Sequence, residues 1–252
     1  MTALVRAELL KLRTVKLPLW LLVTTLLLVL LGVLATVLTA GLEGAPLSRE
    51  DPELMARAVA NASGGNIVVL ILGILVLTQE FRFGTATSSF LVTPKRGRVL
   101  VAKLIAVALV GAVFAVVSAV VAVAVSAVLI PIRDGVVNYD AQVLQVLLGA
   151  MLVMVLYGPI GIAVGALVKN QIAAVVGALA FTFIVEQLLI ALLPDVGRWT
   201  PGGASSAVLQ LGDLATTRGE LLPVWGGVLV LLAYAAVLSA IAARLTLRRD
   251  LT

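Results

Sequence analysis

Glu186 and Gln187 stand together deep in an apolar run, and Glu186 is the sole acid so placed in the chain. An ionisable group at that depth is costly, and it ordinarily faces protein or water rather than lipid. It admits two readings. One is a pathway-lining residue, contacting a substrate or forming an outer gate. The other is a structural pair with a polar group on a neighbouring helix. Catalysis needs more: a second acid, a histidine or a set of metal ligands close by. The chain has no histidine and no cysteine, which removes the commonest general base, thiolate metal sites and disulfides. Asn61 and Asn66 are two further polar residues within an apolar segment. Both lie in a stretch with Ser63, Gly64 and Gly65, where small residues permit close helix approach and amides can bond across helices. They are candidates for lining a pathway or for tight packing.

The other chemistry-bearing stretch is polar and basic, at residues 79–103. Glu80 opens it, Phe81, Arg82 and Phe83 follow, and Gly84-Thr85 marks a turn. Phe90, Leu91 and Val92 supply apolar contacts, Pro94 ends any helix begun near Gly84, and Lys95, Arg96 and Arg98 cluster after it. A short helix of this kind, lying parallel to a membrane, can press its apolar tip into a groove on another protein. A charged hairpin that only sets topology is the plainer alternative.

The elements that must carry these residues follow from composition. Of 252 residues, 62% are hydrophobic and 12% charged. A soluble fold of that size cannot hide so much apolar surface, so the class is an all-α polytopic membrane protein. A β-barrel would show short alternating segments, not unbroken runs of about twenty apolar residues. Six spans are expected, at about 18–40, 60–79, 101–131, 142–168, 171–193 and 223–244. They form a single domain over 1–252, preceded by an amphipathic elbow helix at 1–17 that lies in the inner interface and turns at Pro18. The third and fourth runs exceed the minimum length, so tilt or protruding ends are expected.

Orientation follows from the cations. With both termini in the cytoplasm, 13 of the 18 lysines and arginines fall inside, while only Glu8, Glu80 and Asp250 among the acids do. The last outer segment, about 195–222, is the longest and holds a moderately apolar stretch, 207–214, read as a short re-entrant or interfacial helix or a plain helical turn. In the fourth run, Gly161-x-x-x-Gly165 is expected to make a small-residue helix contact. The net charge of +5 fits loops facing anionic lipid rather than nucleic acid. No Gly-x-x-x-x-Gly-Lys-Ser/Thr loop is present, so no P-loop ATPase is carried here.

Glu80, Gly84-Thr85, Pro94, Arg98 and Lys103, in that spacing, resemble the loop between the second and third spans of the ATP-binding-cassette type-2 permeases. The Ala-Glu-Leu-Leu-Lys-Leu start at 7–12, the six-span layout and the long last outer loop are similar to that family too. The chain departs in having Ala86 after Gly-Thr, where the family often has leucine. The resemblance implies a permease subunit and no enzyme in this chain. It implies that 80–99 is the coupling helix to a separate ATPase subunit, with ATP and magnesium bound there and no cofactor or metal here. It also implies pairing with a second permease, the same or different, in the cell membrane. The apolar interior favours a hydrophobic or amphipathic substrate over a small ion, and the transporter reading makes an exporter the expectation. A membrane scaffold or assembly factor, or a secondary carrier, is the competing reading.

Overall fold

The computed structural model describes residues 1–43, 45, 47–82, 96–168, 170–211 and 220–248. Among them, six helical segments are long and apolar enough to cross a membrane, as expected from the sequence.

Helix α1, Thr2–Thr14, stops where Val15 turns extended (φ −103°, ψ 140°). Helix α2, Leu17–Thr39, begins with Pro18 in its first turn, where a missing N–H costs nothing. Its buried stripe is Thr25, Val29, Val33 and Val37, spaced by four. Leu19, Leu27, Leu31 and Leu38 point outward. The preference is that of a bilayer: lipid tails are as apolar as leucine, so the inward face goes to residues that let backbones approach.

The second span starts earlier than the sequence reading placed it. Helix α3, Leu54–Ala60, is buried at every residue and runs through a 3-10 turn, Asn61–Ser63, into α4, Asn66–Arg82. The segment 54–59, read as outer loop, is therefore part of the core. Arg57 hid this continuation by putting a charge inside an otherwise apolar turn.

Helix α5, Arg96–Ile132, also begins before its expected start and carries Pro131 in its last turn. Its 37 residues make a rod of about 55 Å against a hydrocarbon core of about 30 Å, so its ends stand outside the apolar slab. Helix α6, Ala141–Leu167, is the central post, in contact with α4, α5 and the last helix. Asp140 caps it, its Oδ1 accepting from the Val143 N–H at 2.9 Å.

The fifth span is three pieces. They are α7 (Gln171–Ala180), a π-turn (Phe181–Val185) and α8 (Glu186–Leu192). Two short helices follow, α9 (Pro194–Gly197) and α10 (Pro201–Val208), before the last span, α11 (Val224–Arg248). A short helix is present in this stretch, α10 at Pro201–Val208, and it overlaps 207–214 only at its last two residues. Thr200 and Pro201 set its start, and Gln210, at φ 55°, follows its end. Residues 212–219 lie outside the described residues.

The tightest seam is α4 on α6. A Cβ at Gly161 would overlap the Leu70 carbonyl oxygen, and one at Gly73 would overlap that of Gly158. At Gly165 it would sit 2.9 Å from the Ile74 carbonyl oxygen. The small-residue contact expected at Gly161 and Gly165 is thus present, with α4 as its partner.

Candidate functional site

At one end of the bundle, three elements converge on one lysine. Lys103, in the second turn of α5, is 2% exposed. Its Nζ donates to Glu8 Oε2 on α1 at 2.7 Å and to Glu80 Oε1 at the end of α4 at 2.6 Å. Lys11 completes the set, donating to Glu8 Oε1 at 2.9 Å and to Glu80 Oε1 at 3.0 Å. Two cations and two carboxylates cancel, which matters because stripping water from each buried ion costs several kcal/mol unless the partners are close and hydrogen-bonded. Leu12, Leu77, Leu100, Leu104 and Val107, on the same three helices, belong to one apolar cluster.

Burial alone would lower the Lys11 ammonium, but the bonds to and charges of Glu8 and Glu80 outweigh it and hold the group above its ordinary value. A lysine raised in this way stabilises the fold fully at neutral pH. The contribution fades only as pH climbs through the raised value.

The network ties α1 to both helices that flank residues 83–95. Sequence reasoning flagged Glu80 and Lys103 by their spacing. It did not pick out Glu8 and Lys11 as site residues. The signal was there: Glu8 and Glu80 are acids on a face otherwise given over to cations. Of the other expected docking residues, Arg82 and Arg98 are exposed. Phe83, Gly84, Thr85, Phe90 and Pro94 lie outside the described residues, as does the Phe81 side chain.

At the opposite end, Glu186 is 1% exposed. Its carboxylate accepts a hydrogen bond from the Gly202 N–H, in the first turn of α10. Thr200 caps the same helix, accepting from the Gly203 N–H at 3.2 Å and donating to the Gly197 carbonyl at 2.7 Å. A carboxylate at a helix N-terminus meets unpaired N–H groups and the positive end of the helix dipole. Gly202 makes the approach possible, since a Cβ there would stand 2.8 Å from Glu186 Cδ. Deeper in, the Tyr157 hydroxyl and Ser205 Oγ are 3.1 Å apart and tie α6 to α10. Helix α10 is thus pinned into the bundle at two points.

Leucine at position 186 is expected to leave the half-buried Gly202 N–H unpaired, a loss of about 1 kcal/mol visible as a lower melting temperature in detergent. Glu186→Gln keeps an acceptor and is expected to lose much less.

Asn61 and Asn66 have partners of their own. Asn61 Nδ2 donates to Thr36 Oγ1 at 3.0 Å and to the carbonyls of Arg57 and Ala58, fastening the 3-10 turn to α2. Asn66 Oδ1 accepts from the Ile67 N–H at 2.7 Å. Gln187 is exposed, and its Nε2 donates to the Thr182 carbonyl at 3.4 Å. Asn61 faces α2 while Glu186 faces α10, so these residues are not gathered into one cluster. Among the described residues, no group of three or more histidine, cysteine, aspartate or glutamate side chains is placed to hold a metal.

A six-span helical bundle, with a charged elbow at one end and a pinned short helix at the other, defines an integral membrane domain. Residues 4–185 match the family described as ABC-2 family transporter protein, and the chain belongs to that family. The match stops one residue before Glu186, so α8, the two short helices and the last span lie beyond it. No curated protein matches the chain. Membership makes the chain the membrane permease of an ABC transporter, a class that works with an ATPase partner.

Proposed function

We propose that this permease is driven by a separate ATPase that grips residues 80–99, and that it exports a hydrophobic or amphipathic compound. ATP and magnesium bind that companion. The supporting observation is the buried Lys103 cluster. Because one ammonium joins α1, α4 and α5, a push on the segment between α4 and α5 moves the elbow and both helices as one body. A rigid element with two positions is what a nucleotide cycle needs in order to act at a distance. Loss of the inward thrust would then return the bundle to its first state.

The fifth span supports pairing with a second permease, identical or different. Only 11% of its apolar window is buried within this chain, against 67% for α6. Cation asymmetry supports both termini in the cytoplasm of the cell membrane. In that orientation α3, α10 and Glu186 face outward. An apolar interior with a single deep acid supports an apolar or amphipathic cargo over a small ion, and Glu186 with Gln187, Asn61 and Asn66 are the candidates to meet it.

Two measurements test this reading. Mild-detergent purification from native membranes is expected to recover a nucleotide-hydrolysing protein in fixed ratio. Recovery of the chain with no such companion would favour a scaffold or carrier. Phe90→Asp is expected to lower coupling of hydrolysis to export about a hundredfold, as loss of an aromatic anchor at a partner's groove would, with membrane insertion unchanged. Normal coupling in that variant would defeat the docking role. Charge reversal at Glu80 is a poorer probe, because it also breaks the Lys103 cluster.

A further inference from the structure

Two hollows meet at the end of the bundle opposite Lys103, sharing Leu222 and Pro223 as a common border. The first, about 490 Å³, is polar and is walled by Glu53, Arg57, Gln142, Gln145 and Gln210. The second, about 650 Å³, is a groove running down α11 from Trp225 past Leu229 and Ala233 to Leu238, with Trp199 at its upper rim. Its walls are almost wholly apolar.

Arg57 is 7% exposed. Its Nη2 is 2.9 Å from Glu53 Oε2, while its buried Nη1 has no hydrogen-bond partner among the described residues. A buried guanidinium nitrogen left unpaired is costly, and it is met best by an anionic oxygen. Glu53 already pairs with Nη2 and balances its charge, so what remains at Nη1 is an unmet hydrogen bond that calls for a second acceptor. The amides of Gln142, Gln145 and Gln210 add neutral donors around it. Gln210 Nε2 already lies 3.3 Å from Gln145 Oε1, which keeps these two side chains on the same wall.

The groove supplies the other half. From Trp225 to Leu238 the helix rises about 20 Å, more than the ~15 Å depth of one leaflet. Trp199 and Trp225 are both exposed at its head, where amphipathic rings anchor at the headgroup level. An apolar channel of leaflet length that opens at its head beside an arginine short of an acceptor has the polarity profile of one molecule.

We propose that these two hollows form a single site for a phospholipid, with an acyl chain along α11 and the phosphate at Arg57. The site requires only that the chain sit in a bilayer. That the leaflet is the outer one rests on the sidedness proposed above. A lipid there bridges α3, α6, α10 and α11, and so braces the C-terminal end of α10.

The test uses the full chain, purified in detergent without any ATPase. Retention of added dioleoyl phosphatidylglycerol, dioleoylglycerol and inorganic phosphate is read by native mass spectrometry and by shift in melting temperature. The phospholipid is expected to be held about tenfold more tightly than dioleoylglycerol, the worth of one charge-assisted hydrogen bond. Inorganic phosphate is expected to give no shift at equal concentration. Arg57→Gln should bring the phospholipid down to the level of dioleoylglycerol. Ala233→Trp, a lipid-facing substitution that fills the groove without touching the core, should weaken both lipids.

Equal retention of phospholipid and dioleoylglycerol would overturn the assignment, as would a phosphate shift matching that of the lipid. Unchanged retention in Ala233→Trp would do the same. If Arg57→Gln does not fold, the lipid comparison and Ala233→Trp decide. Because no companion ATPase enters the measurement, its outcome is independent of whether one is ever captured.

Discussion

Lys103→Met is expected to be the most damaging single substitution in the charged elbow. It removes the ammonium that Glu8 and Glu80 share, and leaves two carboxylates close together with only the half-exposed Lys11 between them. Breaking a buried ion pair from one side costs about 3–5 kcal/mol, because the remaining charge is left uncompensated. The expected result is low accumulation in the membrane, or a strongly lowered melting temperature, with α1 released to proteolysis. The physical cause is separable from simple loss of packing. Adding Glu8→Gln and Glu80→Gln to Lys103→Met takes away the stranded charges as well. That triple variant is expected to be more stable than Lys103→Met alone, a non-additivity that only a coupled network produces. Transport should not recover with it, because α1 is then no longer fastened to the helices that flank the coupling segment. If the triple variant is as unstable as the single one, Lys103 acts through its bulk and the network reading fails.

Gly161→Leu is the second large effect. The position faces backbone, and the first added carbon already overlaps the Leu70 carbonyl oxygen. No rotamer change relieves a side chain pressed on a main chain, so α4 and α6 must separate. Overpacking in a well-fitted core costs about 1–3 kcal/mol, and separating the central helices lies at or beyond the top of that range. The expected readout is loss of folded protein in a detergent melting assay. Gly177→Leu, on α7 with no atom within 4 Å of its Cβ, serves as the control and is expected to be tolerated. Gly161→Ala is expected to fall between the two.

The sequence carried the architecture well and the site in part, for reasons that differ by residue. Apolar run length and cation asymmetry are strong signals, so the spans could be counted before any packing was known. The boundary that moved most was the second span. Arg57 interrupts the hydropathy of α3, and nothing in the local pattern reveals that Glu53, one turn earlier, pairs with Nη2. Glu80 and Lys103 stood out through motif spacing, but their union with Glu8 spans 95 residues of sequence between Glu8 and Lys103 and is a product of tertiary structure. Glu186 was legible as costly. Its partner was not, because that partner is a backbone N–H, to which any residue but proline contributes equally. Gly202 carries the one local hint, since only a residue without Cβ lets a carboxyl come so near the first turn of α10.

The shape of the molecule places its charged work at two ends and leaves the middle to close backbone packing. At one end the ion cluster fastens three elements together. At the other, Glu186, Thr200 and Tyr157 hold the short helix α10 in place. Between them α4 and α6 meet along the glycine seam.

The decisive measurement is photo-crosslinking in native membranes, with a reactive analogue at Phe90 and a second at Trp20 on the exposed face of α2. The account predicts that Phe90 captures one nucleotide-binding protein, with a yield that changes when a non-hydrolysable ATP analogue is added, while Trp20 captures lipid. Lipid adducts alone at Phe90, indifferent to nucleotide, would contradict it.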